Sequence, residues 1–385
     1  MFLVGFLYQS KNTFNIFLCS EKLKDFDKEA KKYDGFGFLL MALVKKAQLK
    51  IREEEDAASE ESSESPLPPL GEKLDQVKRL GHYAVRMYPV SWYRSNEAIA
   101  EDLGIPADSI LMVHFSDEEE GGHCPKFLLF LDHEIKSIVL AIRGTFSFKD
   151  AIMDVVCADE DFLEGKAHKG ILTGAEIILE KVTDIISEAA RDHPDYSLTV
   201  TGHSLGAGAA ELITMKLLSE PDTIPEIKDI RCVALAPPPV YQSEKSLSPE
   251  IAGAIDIFVN NVDCVPRLSL ASVARLLAMV RAVDELGLSV GEQLKLLAER
   301  EETEKLMESV KTAVIEAKQD QFPSLEHPGT VFHIMKSSEE DSDKDGEKHL
   351  IYLSKSRIFT ESILLLENMI ADHLHGAYEK VLKII

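Results

Sequence analysis

The sequence predicts an α/β protein with a mostly parallel central sheet flanked by helices. Three observations carry that expectation. Short apolar runs recur at 127–131, 137–142, 197–201, 232–236 and 255–259. Apolar runs that are bounded, and mostly spaced by helical patterns, suit strands buried on both faces. A long amphipathic pattern over 170–190 sets Ile171, Ala175, Ile178, Val182 and Ile185 on one helical face. Between a strand-like run and a helix-like run stands Gly202-His203-Ser204-Leu205-Gly206, a sharp strand-to-helix turn carrying a serine at its tip.

Taken in order, residues 1–50 form an N-terminal helical extension, with helices expected over 21–32 and 38–50. Residues 51–72 follow as an acidic linker. Its stretch 53–65 holds seven acids and no base and runs into Pro66-Leu67-Pro68-Pro69, a composition that buries too little apolar surface to offset the entropy of ordering. The main domain is expected over 73–385. It opens with a helix over 74–88, a hairpin-like strand pair (127–131, 137–142), the long helix, a strand over 197–201 and a helix over 205–218 ending near Pro221. The runs 232–236 and 255–259 complete the parallel set. A helical insert over about 269–325 follows, with helices at 271–287 and 289–318, the second opened by a capping box of Ser289 and Glu292. Strands over 330–335 and 349–354 then lead to a final helix from about 361, either continuous or broken near Gly376.

Composition narrows the function. Over 385 residues the net charge is −24, with 45% hydrophobic and 28% charged residues, ordinary for a chain with a large core. An acidic balance argues against nucleic acid as a partner, since a phosphate backbone needs clustered cations. Three acidic tracts, 53–65, 117–120 and 337–348, carry −15 of that charge, so acidity belongs mainly to loops. The five cysteines include no C-x-x-C pair, which fits reduced thiols and a cytoplasmic location. The apolar stretch 36–44 is far shorter than the roughly 20 residues a membrane span needs, and residues 1–8 lack the basic flank of a secretory leader. No transmembrane segment is therefore expected.

The chemistry centres on Ser204. At such a turn the following helix N-terminus supplies backbone N–H donors, that of Leu205 first. A serine hydroxyl needs a base, and the base needs an orienting acid, in the chain order Ser, Asp, His. Asp263 sits just after the run 255–259, the position an acid at a strand's C-terminal end should take, whereas Asp222 and Asp229 follow a helix. His373 is the favoured base, His375 its nearest rival, and His349 and His333 weaker ones. A second oxyanion donor is expected from Thr145, which closes Ile142-Arg143-Gly144-Thr145 after a strand. The His373-x-His375 pair has no third ligand at metal spacing; no metal and no cofactor are expected.

At these residues the chain resembles the class 3 lipases of the α/β-hydrolase fold, and among them the diacylglycerol-lipase branch. The resemblance rests on IRGTFSFKD at 142–150, VTGHSLGAG at 200–208, ALAPPPV at 234–240, NVDCVPRL at 261–268 and DHL at 372–374. It implies Ser204 as nucleophile, Asp263 as acid, His373 as base, Thr145 and Leu205 as oxyanion hole, and a lid over 146–165. The membrane-spanning bundle that precedes the catalytic domain in animal diacylglycerol lipases is not matched by these residues, so integral-membrane residence does not carry over. The insert lies where that branch has a regulatory insert but matches nothing recognisable.

The expectation is a serine lipase acting on a glycerolipid acyl ester, diacylglycerol-like, at a membrane or droplet surface, through transient apolar contact. A phospholipase A1 or a general carboxylesterase is the alternative within enzymes. From another class, the alternative is a non-catalytic lipase-like interaction protein using the insert as its binding surface.

Overall fold

A computed structural model describes residues 37–58, 71–115, 124–145, 159–298, 304–317, 324–336, 349–354 and 363–385. The helix expected over 21–32, the acidic tracts 117–120 and 337–348, and residues 146–158 of the expected lid lie outside them. The chain divides into two compact units.

The smaller unit contains α1 (Gly37–Ala58) together with residues from the insert and 363–367. The N-terminal helix was expected to end at 50; it continues through 58, so the first part of the expected linker is helical. Leu43, Val44 and Ala47 are fully buried, and burying that stripe extends the helix into residues whose composition alone favours solvent. The Gln48 side-chain amide bonds the backbone of 363–365 twice, donating to the Ile363 carbonyl at 2.9 Å and accepting from the Leu365 N–H at 3.1 Å. Thus the N-terminal helix and the insert, separate in the sequence reading, fold as one body.

The larger unit begins with α2 (Glu72–Val90) and α3 (Asn96–Leu103). The strands β1 (Ile110–His114), β2 (Phe127–Asp132) and β3 (Ser137–Ile142) follow, then the hairpin of β4 (Asp159–Phe162) and β5 (Gly165–His168). Residues 159–165, expected in the lid, thus include strand and turn. Next come α4 (Lys169–Asp192), β6 (Ser197–His203), α5 (Leu205–Ser219), β7 (Ile230–Leu235), β8 (Tyr241–Gln242), α6 (Pro249–Ala254) and β9 (Ile255–Asn260). The insert supplies α7 (Leu270–Asp284), α8 (Val290–Ala298) and α9 (Glu304–Ala317) to the smaller unit. Within the helix expected over 289–318, 290–298 and 304–317 are helical and 299–303 lie outside the described residues. Its capping box is present: the Ser289 N–H donates to Glu292 Oε2 at 2.8 Å, and the Glu292 N–H to Ser289 Oγ at 3.3 Å. The chain returns through β10 (Thr330–Lys336), β11 (His349–Ser354), a 3-10 turn at Ala371–His373 and α10 (His375–Ile384). The final helix therefore starts at 375, not near 361.

Eight strands form one sheet in the order β1-β2-β3-β6-β7-β9-β10-β11. The pairs from β3 to β10 are parallel, and both ends of the sheet are antiparallel. Along β2 and β3 alternate residues enter opposite cores. Phe127, Leu129, Ile138 and Leu140 meet α4 and α5, while Leu128, Phe130, Val139 and Ala141 meet α2 and α10. That double burial is why these strands read as unbroken apolar runs.

One core residue violates the pattern. Glu211 of α5 is fully buried, and neither carboxyl oxygen has a hydrogen-bond partner. Burial pushes its carboxyl well above the usual glutamate value of 4.5, so the folded chain holds a proton that the unfolded chain releases. Its contribution to stability is present below about pH 4.5 and is lost as pH rises through the folded value, at about 1.4 kcal/mol per pH unit. Glu211→Met is expected to remove this slope and to stabilise the protein at pH 8 by about 1–3 kcal/mol. Thermal melts of both proteins across that pH range check it; parallel curves would contradict it.

Candidate active site

The strand-to-helix turn between β6 and α5 places Ser204 where its side chain can be presented. Ser204 has φ 61° and ψ −131°, a left-handed backbone conformation that costs a non-glycine residue energy and persists only where its surroundings hold it. They do: the Ser204 N–H donates to the Leu235 carbonyl at 2.9 Å, and its carbonyl accepts from the Ala207 and Gly208 N–H groups at 2.9 and 3.1 Å. The flanking glycines are required by space. A Cβ on Gly202 would stand 2.5 Å from the Gly206 carbonyl oxygen, and one on Gly206 2.4 Å from the Ile142 carbonyl oxygen and 2.9 Å from the Gly144 nitrogen. The same closeness brings Gly144, just past β3, against the turn, where a Cβ would stand 2.4 Å from the His203 carbonyl oxygen; the half-buried Thr145 follows it in sequence.

His373 and Asp263 reach this serine from distant parts of the chain. His373 Nε2 lies 3.0 Å from Ser204 Oγ across 169 residues of sequence. His373 Nδ1 lies 3.1 Å from both Asp263 oxygens. Asp263 is fully buried at the turn after β9, and its carboxylate accepts two further bonds, from the Val265 N–H at 2.9 Å and the Tyr378 hydroxyl at 2.8 Å. A carboxylate accepting from Nδ1–H leaves the Nε2 lone pair facing the serine hydroxyl, the geometry that lets an imidazole take its proton.

The turn holding His373 is tied down on both sides. Asp372 Oδ2 accepts from Asn261 Nδ2 at 2.8 Å and from the Val262 N–H at 3.3 Å, and the Asp372 carbonyl accepts from Asn260 Nδ2 at 3.0 Å. From the Ser204 side, His203 Nε2 lies 2.9 Å from the His373 carbonyl oxygen.

The rival residues are elsewhere. His375 stacks on the Tyr88 ring with centroids 4.4 Å apart, and His333 Nε2 bonds the Asn261 carbonyl at 2.6 Å. His349 opens β11; Asp229 pairs with Arg231 at 3.0 Å and Asp222 sits on an exposed 3-10 turn. Leu205 is the first residue of α5, and its N–H belongs to the N-terminal group that a helix leaves without intrahelical acceptors. Sequence reasoning missed Tyr88, Tyr378, His203, Asn260, Asn261 and Asp372. His203 lies inside the G-x-S-x-G, and Asn261 and Asp372 inside the stretches 261–268 and 372–374 that carry the resemblance; Tyr88, Tyr378 and Asn260 had no such signal. Among the described residues no group of three or more His, Cys, Asp or Glu could hold a metal ion, and no helix is long and apolar enough to cross a membrane.

Residues 139–273, which include β3, the serine turn and Asp263, match the class 3 lipase family. Among curated relatives, diacylglycerol lipase-beta of Mus musculus is 33% identical over 169 residues, covering 42% of this chain and 24% of the mouse protein. Diacylglycerol lipase-alpha of Homo sapiens is 34% identical over 162 residues, covering 38% of this chain and 15% of the human protein. The match therefore spans a quarter or less of these relatives. Among solved structures, a propeptide complex of Rhizomucor miehei lipase aligns with a TM-score of 0.54 at 16% identity, over 81% of this chain and 80% of that one. At that identity the likeness concerns the fold, an α/β-hydrolase with a mostly parallel central sheet. The family's sequence stretch thus coincides with the elements that carry Ser204 and Asp263, while His373 lies beyond its C-terminal end.

Proposed function

We propose that this chain is a serine lipase that hydrolyses an acyl ester of a glycerolipid, with Ser204, Asp263 and His373 as its triad. The single observation that carries the reading is the continuous chain from Ser204 Oγ through His373 Nε2 and Nδ1 to Asp263, at 3.0 and 3.1 Å. Ser204 attacks the ester carbonyl as His373 takes its proton. The oxyanion that forms is held by the N–H groups of Leu205 and Thr145. Collapse expels the alcohol, protonated by His373, and leaves the acyl group on Ser204. Water, activated by His373, then releases the fatty acid.

Diacylglycerol is the substrate we favour, supported by two diacylglycerol lipases standing among the relatives at 33–34% identity. The site works without cofactor. We infer a cytoplasmic protein that meets lipid transiently, supported by three free cysteines among the described residues and by a net charge of −24, which disfavours anionic membranes.

Incubation with a panel of diacylglycerol, triacylglycerol and phosphatidylcholine, followed by product identification, tests this reading. The expected result is fatty acid and monoacylglycerol from diacylglycerol. Lysophospholipid as the main product would replace it with a phospholipase A1. Folded protein that releases nothing from any ester, short-chain esters included, would favour a non-catalytic interaction protein.

A further inference from the structure

We propose that Tyr88 and His203 act as a positioning pair for His373, Tyr88 fixing the ring tautomer of His203 and His203 anchoring the main chain that carries the base. The proposal rests on the triad reading above but concerns residues outside it.

The direction of the hydrogen bonds follows from their chemistry. A carbonyl oxygen only accepts, so the 2.9 Å contact between His203 Nε2 and the His373 carbonyl requires a proton on Nε2. In a neutral ring Nδ1 is then an acceptor, and the Tyr88 hydroxyl, 2.8 Å away, donates to it. The chain runs one way, from phenol to imidazole to carbonyl. In the opposite tautomer the Nε2 lone pair would face the carbonyl lone pairs at 2.9 Å, and the anchor would become a repulsion.

The surroundings hold this arrangement closed. Tyr88, His203 and His373 are each less than 5% exposed, so water cannot replace a lost partner. The Tyr378 ring packs edge-on to His203 with centroids 5.2 Å apart, and Tyr378 also bonds Asp263. Tyr88 also stacks on His375, the first residue of α10 just after the His373 turn, at 12° between planes. Because His203 directly precedes Ser204, its bond to the His373 carbonyl ties the backbone of the nucleophile to that of the base. A displacement of about 1 Å between such groups can cost 10²-fold in rate.

Charge points the same way. The rings of His203 and His373 stand 4.9 Å apart, and a cation at His203 would oppose the imidazolium that His373 becomes during acyl transfer. Burial, and next the neighbouring His373, hold the His203 imidazole well below its usual titration range. The other ionisable groups facing it are Tyr88, His375 and Tyr378, with the Asp263 carboxylate behind Tyr378; burial raises both phenols and lowers the His375 imidazole.

Nitrogen-15 NMR of the histidine rings tests the proposal without reference to activity. The expected spectrum has His203 neutral, protonated on Nε2 and bare on Nδ1, unchanged between about pH 5 and 8. A proton on Nδ1, or titration within that range, would overturn it. In kinetics on a soluble short-chain ester, Tyr88→Phe should lower kcat about 10- to 10²-fold with KM unchanged. In a His203→Gln background, whose amide N–H donates to the carbonyl whatever faces its other end, the same Tyr88 change should cost less than threefold. Equal losses in both backgrounds would overturn the pairing. If Tyr88→Phe fails to fold, the wild-type tautomer decides. A Ser204→Ala enzyme that kept its turnover would sink the triad reading and leave the tautomer result standing.

Discussion

Replacing Asp263 with asparagine should lower kcat by about 10⁴ while leaving KM near its wild-type value. The structure gives the reason. The Asp263 carboxylate accepts from three donors at once: His373 Nδ1, the Val265 N–H and the Tyr378 hydroxyl. An amide cannot accept with both ends. The Val265 N–H bonds Oδ1 and the Tyr378 hydroxyl Oδ2, so an amide oxygen that keeps Val265 puts the NH₂ in the Oδ2 place, 3.1 Å from His373 Nδ1, where it donates to that nitrogen. The imidazole must then carry its proton on Nε2, toward Ser204, where it can no longer take one. The fold should tolerate the change, because the amide has the same shape. Steady-state kinetics on a short-chain ester, beside a thermal melt, check the expectation; a loss below about tenfold in a folded variant would contradict Asp263 as the orienting acid.

Ser204→Ala should have the larger effect, removing about 10⁶ of kcat, and the two changes should not add. Once the nucleophile is gone, the orientation of His373 has nothing to act on, so the double variant should be no slower than Ser204→Ala alone. Additive losses would mean that Asp263 serves a function separate from Ser204. Stability should change little, since the backbone bonds that hold the turn, to Leu235, Ala207 and Gly208, use no side-chain atom.

The parts of the fold that were legible in the sequence are those dictated by local physics. Gly202 and Gly206 announce the turn because backbone atoms fill the space a side chain would need. Strands β2 and β3 show themselves because both of their faces are buried. His168 caps α4, its Nδ1 accepting the Ile171 N–H at 3.3 Å. Illegible elements lack such signals. The β4 strand is Asp159-Glu160-Asp161-Phe162, polar on its exposed side, and β8 is only Tyr241-Gln242, too short to show a period.

The final helix shows how tertiary contacts override pattern. The residues before 375 suit a helix, yet two successive carbonyls are taken by other elements, that of Asp372 by Asn260 and that of His373 by His203. Those bonds compete with a helical ladder, and Leu374 turns extended at φ −60° and ψ 139° before α10 begins. The three residues that the structure brings together, Ser204, Asp263 and His373, were readable as an order of residue types. What holds them, Tyr88, Tyr378 and the Asp372 clamp, depends on partners more than 100 residues away, and neither tyrosine carries a local mark. The pairing of α1 with the insert is hidden for the same reason.

The most direct test of the account is covalent. A fluorophosphonate reacts with a serine only when a neighbouring base activates it, forming a phosphonate ester with loss of fluoride. Treatment of the folded protein, followed by peptide mass spectrometry, should place a single adduct on Ser204, absent in Ser204→Ala and slowed strongly in Asp263→Asn. An unmodified Ser204 in folded protein, or an adduct on another serine that accounts for ester turnover, would contradict the triad.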